Sequence, residues 1–134
     1  MAEKALVDSQ LIDSQALLRS LDETVLKPAL VAWYYYDDID DWRLILCGKD
    51  IDAFLPGKEA LAYKTVAEQL TTLNSGLLVS DVKFLSTKAP LISALGFIIG
   101  TGPNDISNAH LSNTTFNGIF IKDAVILRSA LRGK

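Results

Sequence analysis

One cysteine, one histidine and four prolines occur in 134 residues, and these scarcities close off whole classes of protein. The lone Cys47 cannot form an internal disulfide and fits a reducing compartment. No N-terminal stretch combines the basic start and apolar core of a secretory leader. The longest apolar runs, such as Leu95 to Ile99, fall far short of the roughly 20 residues that a membrane-crossing helix needs. Basic clusters are missing as well. Residues 1–67 hold seven basic and twelve acidic side chains (−5) and residues 68–134 hold six and four (+2), for a net charge of −3. Nucleic acid demands a concentrated basic face, and this asymmetry is too mild to make one. The expectation is a cytoplasmic protein with no membrane span and no nucleic-acid partner.

What the chain does have is apolar bulk. Hydrophobic residues make up 49% of it and charged ones 22%, a composition that is apolar for a small monomer and ordinary for a subunit burying surface against a copy or partner. At this length one domain, residues 1–134, can bury about two thirds of the surface its unfolded form exposes, so it needs no staple.

The most concentrated signal is Trp33-Tyr34-Tyr35-Tyr36-Asp37-Asp38-Ile39-Asp40-Asp41-Trp42, which holds both tryptophans, three of the four tyrosines and four of the sixteen acidic residues. It reads as an aromatic strand over residues 29–36, an acidic turn and a return strand over 42–48. Alternation puts Val31, Trp33 and Tyr35 on one face and Leu30, Ala32, Tyr34 and Tyr36 on the other. Trp42, Leu44 and Leu46 likewise oppose Arg43, Ile45 and Cys47. Neither face is polar, so both need cover.

Around this hairpin the periodicities predict a helix over residues 3–26, with a stripe of Val7, Leu11, Ser14, Leu18, Leu21 and Val25, stopped by Pro28. A second small patch on it, Ala5, Ile12 and Ala16, reads as surface. After a linker over 50–57, a second helix runs from Lys58 to about Asn74 on Ala62, Tyr63, Val66, Leu70 and Leu73, with Gly76 placed to end it. Residues 78–86 read as a strand with Val82, Phe84 and Ser86 facing one way. A short, nearly all-apolar third helix starts at Pro90. Two further strands follow, Ile106 to Ser112 and Ile119 to Leu127, with Asn117-Gly118 as the turn signal and Lys122-Asp123 as a possible interruption of residues 119–128. The order αββαβαββ implies an α+β domain with a mostly antiparallel sheet of four to five strands and three helices. Three helices suffice to cover one face, so the far side of the aromatic hairpin must meet the third helix or another chain.

No pattern amounts to a catalytic or cofactor signature, and neither cofactor nor metal is expected. The aspartates of the turn bring hard oxygen ligands together, yet the glycine and distal glutamate of a calcium loop are missing. Cys47 and His110 form a nucleophile and base only if their strands adjoin. Asp81-Val82-Lys83 has the acid-x-Lys form of metal nucleases, without the basic face that would hold DNA. Gly100 to Asp105 leaves a helix rather than entering one, so it reads as a stop and turn. The expected role is non-enzymatic: self-association and protein binding through residues 30–48, with Trp33, Tyr35, Asp38, Asp40, Asp41 and Trp42 as contact residues. An acidic antitoxin-like or immunity-like partner for a basic protein is one version of it. The competing expectation is a small-ligand binder or enzyme whose pocket, between the sheet and the apolar third helix, uses Asp81, Lys83, His110 or Cys47.

Overall fold

The computed structural model describes residues 6–131. The elements are α1 (Asp8–Leu21), β1 (Leu30–Tyr36), β2 (Asp41–Cys47), α2 (Lys49–Asp52), α3 (Glu59–Leu73), β3 (Val82–Phe84), α4 (Pro90–Ile98), β4 (Ala109–Phe116) and β5 (Ile119–Ser129). A 3-10 turn, Val79–Asp81, leads into β3. The five strands form one sheet in the order β3-β2-β1-β5-β4. All neighbours pair antiparallel except β2 and β3, which run parallel because α3 carries the chain back across the sheet between them. The α+β class and mostly antiparallel sheet expected from the sequence are what is found.

The alternation read from β1 and β2 holds side chain by side chain. Val31, Trp33, Tyr35, Trp42, Leu44 and Leu46 pack in one core with Leu17, Leu18 and Leu21 of α1 and Ala62, Val66 and Leu70 of α3. Leu30, Ala32, Ile45 and Cys47 pack in a second core with Ile92 and Leu95 of α4. The helices are thus divided between the faces, with α1, α3 and the short α2, through its buried Ile51, on one and α4 on the other. That is why a ribbon apolar on both sides stays dry along most of its length.

Helix boundaries differ from the periodic reading where side chains capture backbone groups. The predicted start at residue 3, and Ala5, lie outside the described residues, and α1 ends at Leu21, well before Pro28. Thr24 ends it: its hydroxyl and its N–H both donate to the Leu21 carbonyl, at 2.7 and 2.9 Å. Val7, at the N-cap, and Val25, beyond the helix end, leave the stripe and stand 50% and 68% exposed, while Leu17, which the periodicity places on the flank of the stripe, is fully buried. At the end of α3 the stop is Asn74 in the left-handed conformation (φ +51°), two residues before Gly76. The linker carries the short α2 instead of being irregular throughout.

Residues 119–129 form one strand with a fault in it. Ile119 and Ile121 join the α4 core, and the next residues to do so are Ala124 and Ile126, a step of three where alternation allows two. The break in alternation falls at Lys122-Asp123, and β4 breaks step with it at Asn113, whose φ is +47°, since the β4–β5 register is the same on both sides. The unpaired extra residue of β5 is Leu127, between the Val31–Arg128 and Ala32–Ile126 pairs. At the break in alternation β5 leaves β1, since the last β1–β5 pair is Tyr34 with Ala124. The end of the β4–β5 hairpin, turned by Asn117 (φ +54°) and Gly118 (φ +78°), therefore continues as a two-stranded arm.

Candidate functional site

The structure separates the six hairpin residues singled out above. Trp33, Tyr35 and Trp42 are 0%, 1% and 4% exposed, so these rings are core and present no surface. Trp33 is held further by its indole N–H, which donates to Ser14 Oγ at 2.9 Å, and Tyr35 meets Trp42 edge to face at 5.7 Å. Sheet and helices bury the face that alternation assigned them to. Asp38 and Asp40 lie exposed in the turn and Asp41 is half-buried at the start of β2. Partners within the chain absorb much of the turn's charge: Lys122 Nζ meets Asp37 at 3.1 Å, Arg43 meets Asp41 at 3.0 Å, and the Tyr35 hydroxyl donates to Asp40. Among the described residues, no group of three or more His, Cys, Asp or Glu side chains is placed to hold a metal ion.

The two hairpin tyrosines that do reach the surface sit on the other face, where α4 leaves the end of the sheet partly uncovered. Tyr34 and Tyr36 are half-buried and meet edge to face at 4.8 Å, with Lys83 Nζ 4.6 Å from the Tyr36 ring centre. Burial pushes both phenols upward, Tyr36 to about 12; Tyr34 and then Asp38 add to this at Tyr36, and Asp38 adds at Tyr34. Beside them, where β5 departs from β1, a groove of ≈ 490 Å³ opens between Tyr34, Tyr36 and Leu91 on one side and Ile119, Phe120 and Lys122 on the other. Phe120, which alternates with the α4-core residues Ile119 and Ile121 and so turns to the opposite face of the arm with Lys122, is 54% exposed. On the arm, Phe116 stacks at 5.0 Å on Phe97 of α4, itself 58% exposed. The pairing of hydrophobic i and i+2 positions on β1 made Tyr34 and Tyr36 visible from sequence, whereas the groove depends on the β5 fault, which gave only the ambiguous Lys122-Asp123 signal.

The polar residues proposed for a pocket are dispersed. Cys47 lies on β2 and His110 on β4, three strand spacings or about 14 Å apart across the sheet. They also face opposite ways, since Cys47 is in the α4 core and His110 pairs with Val125 of the α1–α3 core. His110 Nε2 contacts the Asp123 carboxylate instead. Burial, reinforced by the negative charge of Asp52, pushes the Cys47 thiol up to about 12, so it is a neutral thiol at physiological pH and a poor nucleophile. Asp81 accepts the Leu78 N–H at 2.9 Å across the 3-10 turn, and it and Lys83 belong to the sheet edge opposite His110.

The class these features define is an α+β protein with a mixed five-stranded sheet, helices on both faces and a projecting β arm. Comparison with protein-family models, with curated proteins and with solved structures returns no match.

Proposed function

We propose that the protein is a small, cytoplasmic, non-enzymatic module that works by self-association and protein binding. Its contact surface is the groove and arm beside Tyr34 and Tyr36, flanked by Asp38 of the acidic turn. The observation that carries this reading is the exposed aromatic surface at the departure of β5 from β1. A two-stranded ribbon gains little stability alone in water, and Phe97 and Phe120 leave large apolar area wet beside it. Covering such rings is how interfaces derive most of their affinity. The acidic N-terminal half suits a basic partner, which keeps the antitoxin-like or immunity-like version within the proposal.

The experiment is sedimentation equilibrium over a wide concentration range, on the wild type and on a Phe97→Ser/Phe120→Ser variant whose fold is checked by circular dichroism. The wild type should shift toward a multiple of the 14.6 kDa chain mass, and the folded variant should remain a single chain. A wild type that stays a single chain at high micromolar concentration removes self-association, and a variant that associates as well as the wild type removes this surface.

A further inference from the structure

A cleft of ≈ 560 Å³ lies at the end of the sheet away from the acidic turn, within the roughly 300–1,000 Å³ of small-molecule sites. Its walls come from five separate segments, with Pro28, Ala29, Pro103 and Leu131 supplying apolar surface. Two ammonium groups, Lys27 and Lys49, line it against one carboxylate, Asp50. The excess is therefore positive in a half of the chain whose net charge is −5. A second hollow of ≈ 260 Å³ shares Thr87 and Leu131 with the cleft and continues past Ile92 and Ser93 along α4.

The walls are fixed before any ligand arrives. Ala29 is stapled between two strand ends, its N–H donating to Cys47 O at 2.9 Å and its carbonyl accepting from Ala130 N–H at 2.8 Å. The chain crosses behind it at Gly48, where a Cβ would come within 2.9 Å of the Ala29 nitrogen. Thr87 is held by Asp52 through its N–H, at 3.1 Å, and through its hydroxyl. Lys27 Nζ donates to Asn104 at 2.6 Å, which carries its ammonium to the loop that holds Pro103. Preorganised walls of this kind reduce the entropy lost on binding.

We infer that this cleft binds a small anionic amphiphile, with its negative head between Lys27 and Lys49 and its hydrocarbon body directed along α4 past Thr87 and Leu131. The head is selected by the unbalanced positive charge, and the body by an apolar channel that a compact anion would leave empty. Carboxylate and phosphate heads share this chemistry.

The test is titration of the full chain with decanoate, kept below its micelle concentration, followed by backbone NMR shifts. Decanol and inorganic phosphate are run in parallel, with decyl phosphate to separate the two head groups. Saturable decanoate or decyl phosphate binding, with shifts centred on Ala29, Lys49, Thr87 and Leu131, is expected, and decanol or phosphate alone should bind more weakly. A Lys27→Gln/Lys49→Gln variant should weaken decanoate roughly ten-fold, the loss of a charged hydrogen bond. Ser93→Phe, a change at an exposed α4 position, should fill the second hollow and weaken decanoate while leaving phosphate unchanged. Decanol binding as tightly as decanoate, unchanged affinity in the glutamine variant, or shifts centred on the Tyr34–Phe120 groove would each overturn the assignment.

Discussion

Arg128 and Asp22, 106 positions apart in the chain, meet in a two-pronged ion pair with N–O distances of 2.7 and 2.9 Å. The Arg128 side chain is wholly buried, and it also donates to the carbonyls of Asp105 at 2.9 Å and Pro28 at 3.2 Å. One guanidinium thereby ties the end of β5 to the turn after α1, to the strand-entry linker and to the loop before β4. Because the arginine is fully desolvated, removing its carboxylate leaves a buried charge uncompensated. Asp22→Ala should therefore cost about 3–5 kcal/mol in urea unfolding. Asp22→Ala/Arg128→Met should be less destabilised than Asp22→Ala alone, and a double variant as unstable as the sum of the singles would refute the pairing.

Ser14 and Trp33 make a smaller joint of the same kind. Ser14 Oγ accepts the indole N–H and donates its own proton to Leu11 O at 2.8 Å, so a polar residue completes an apolar stripe without an unsatisfied group. Ser14→Ala orphans a buried donor and should destabilise by about 1–3 kcal/mol. Val25→Ala, which the periodic stripe would place in the core, should change stability by less than about 0.5 kcal/mol because the side chain is outside it. Thermal or urea unfolding of the two variants side by side decides the matter, and the reverse ranking would restore the longer helix.

Local alternation made the two faces of β1, β2 and β3 legible, because a period of two is set by backbone geometry and survives any tertiary arrangement. It could not show which helix covers which face, since an apolar stripe fits either. Trp33, Tyr35 and Trp42 illustrate the consequence: their shared face was readable, but its burial under α1 and α3 was not. Sequence order also concealed that β3 joins β2 in parallel, a matter of how α3 crosses. The Arg128–Asp22 and His110–Asp123 contacts were hidden for a different reason, because charged side chains are surface residues by default and partners distant in sequence carry no local signature. Thr24 and Asn74 show the remaining limit, where single side-chain or backbone choices move a helix end away from its proline or glycine signal.

Cys47 makes stability depend on alkaline pH. Its thiol is raised from an ordinary value of 9.0 to about 12 in the folded chain. Between those values the unfolded thiol has lost its proton and the folded one has kept it, so the unfolded state binds fewer protons and stability falls as pH rises. The loss should begin near pH 9 with a slope of at most about 1.4 kcal/mol per pH unit from this group, and should be absent below pH 8. Tyr36 contributes in the same direction at higher pH. Urea unfolding of the wild type and Cys47→Ala across this range should give curves that converge as pH increases, and curves that stay parallel would contradict the buried thiol. Native protein at pH 7.5 should also react with an alkylating agent far more slowly than unfolded protein.

Asp38 connects the acidic turn to the exposed tyrosines. Its charge adds to the upward displacement of both Tyr34 and Tyr36, because an anion nearby opposes formation of a phenolate. Asp38→Asn should therefore let both phenols ionise at lower pH in a spectrophotometric titration, while burial still keeps Tyr36 above an unperturbed tyrosine. The turn is exposed, so added salt should shrink the difference between wild type and variant. Asp38→Asn leaves the Lys122–Asp37 and Arg43–Asp41 pairs in place, so folding should change little. If the two titrations superimpose at low salt, the turn does not act on the aromatic surface, and Asp38 loses its place at the edge of the proposed contact site.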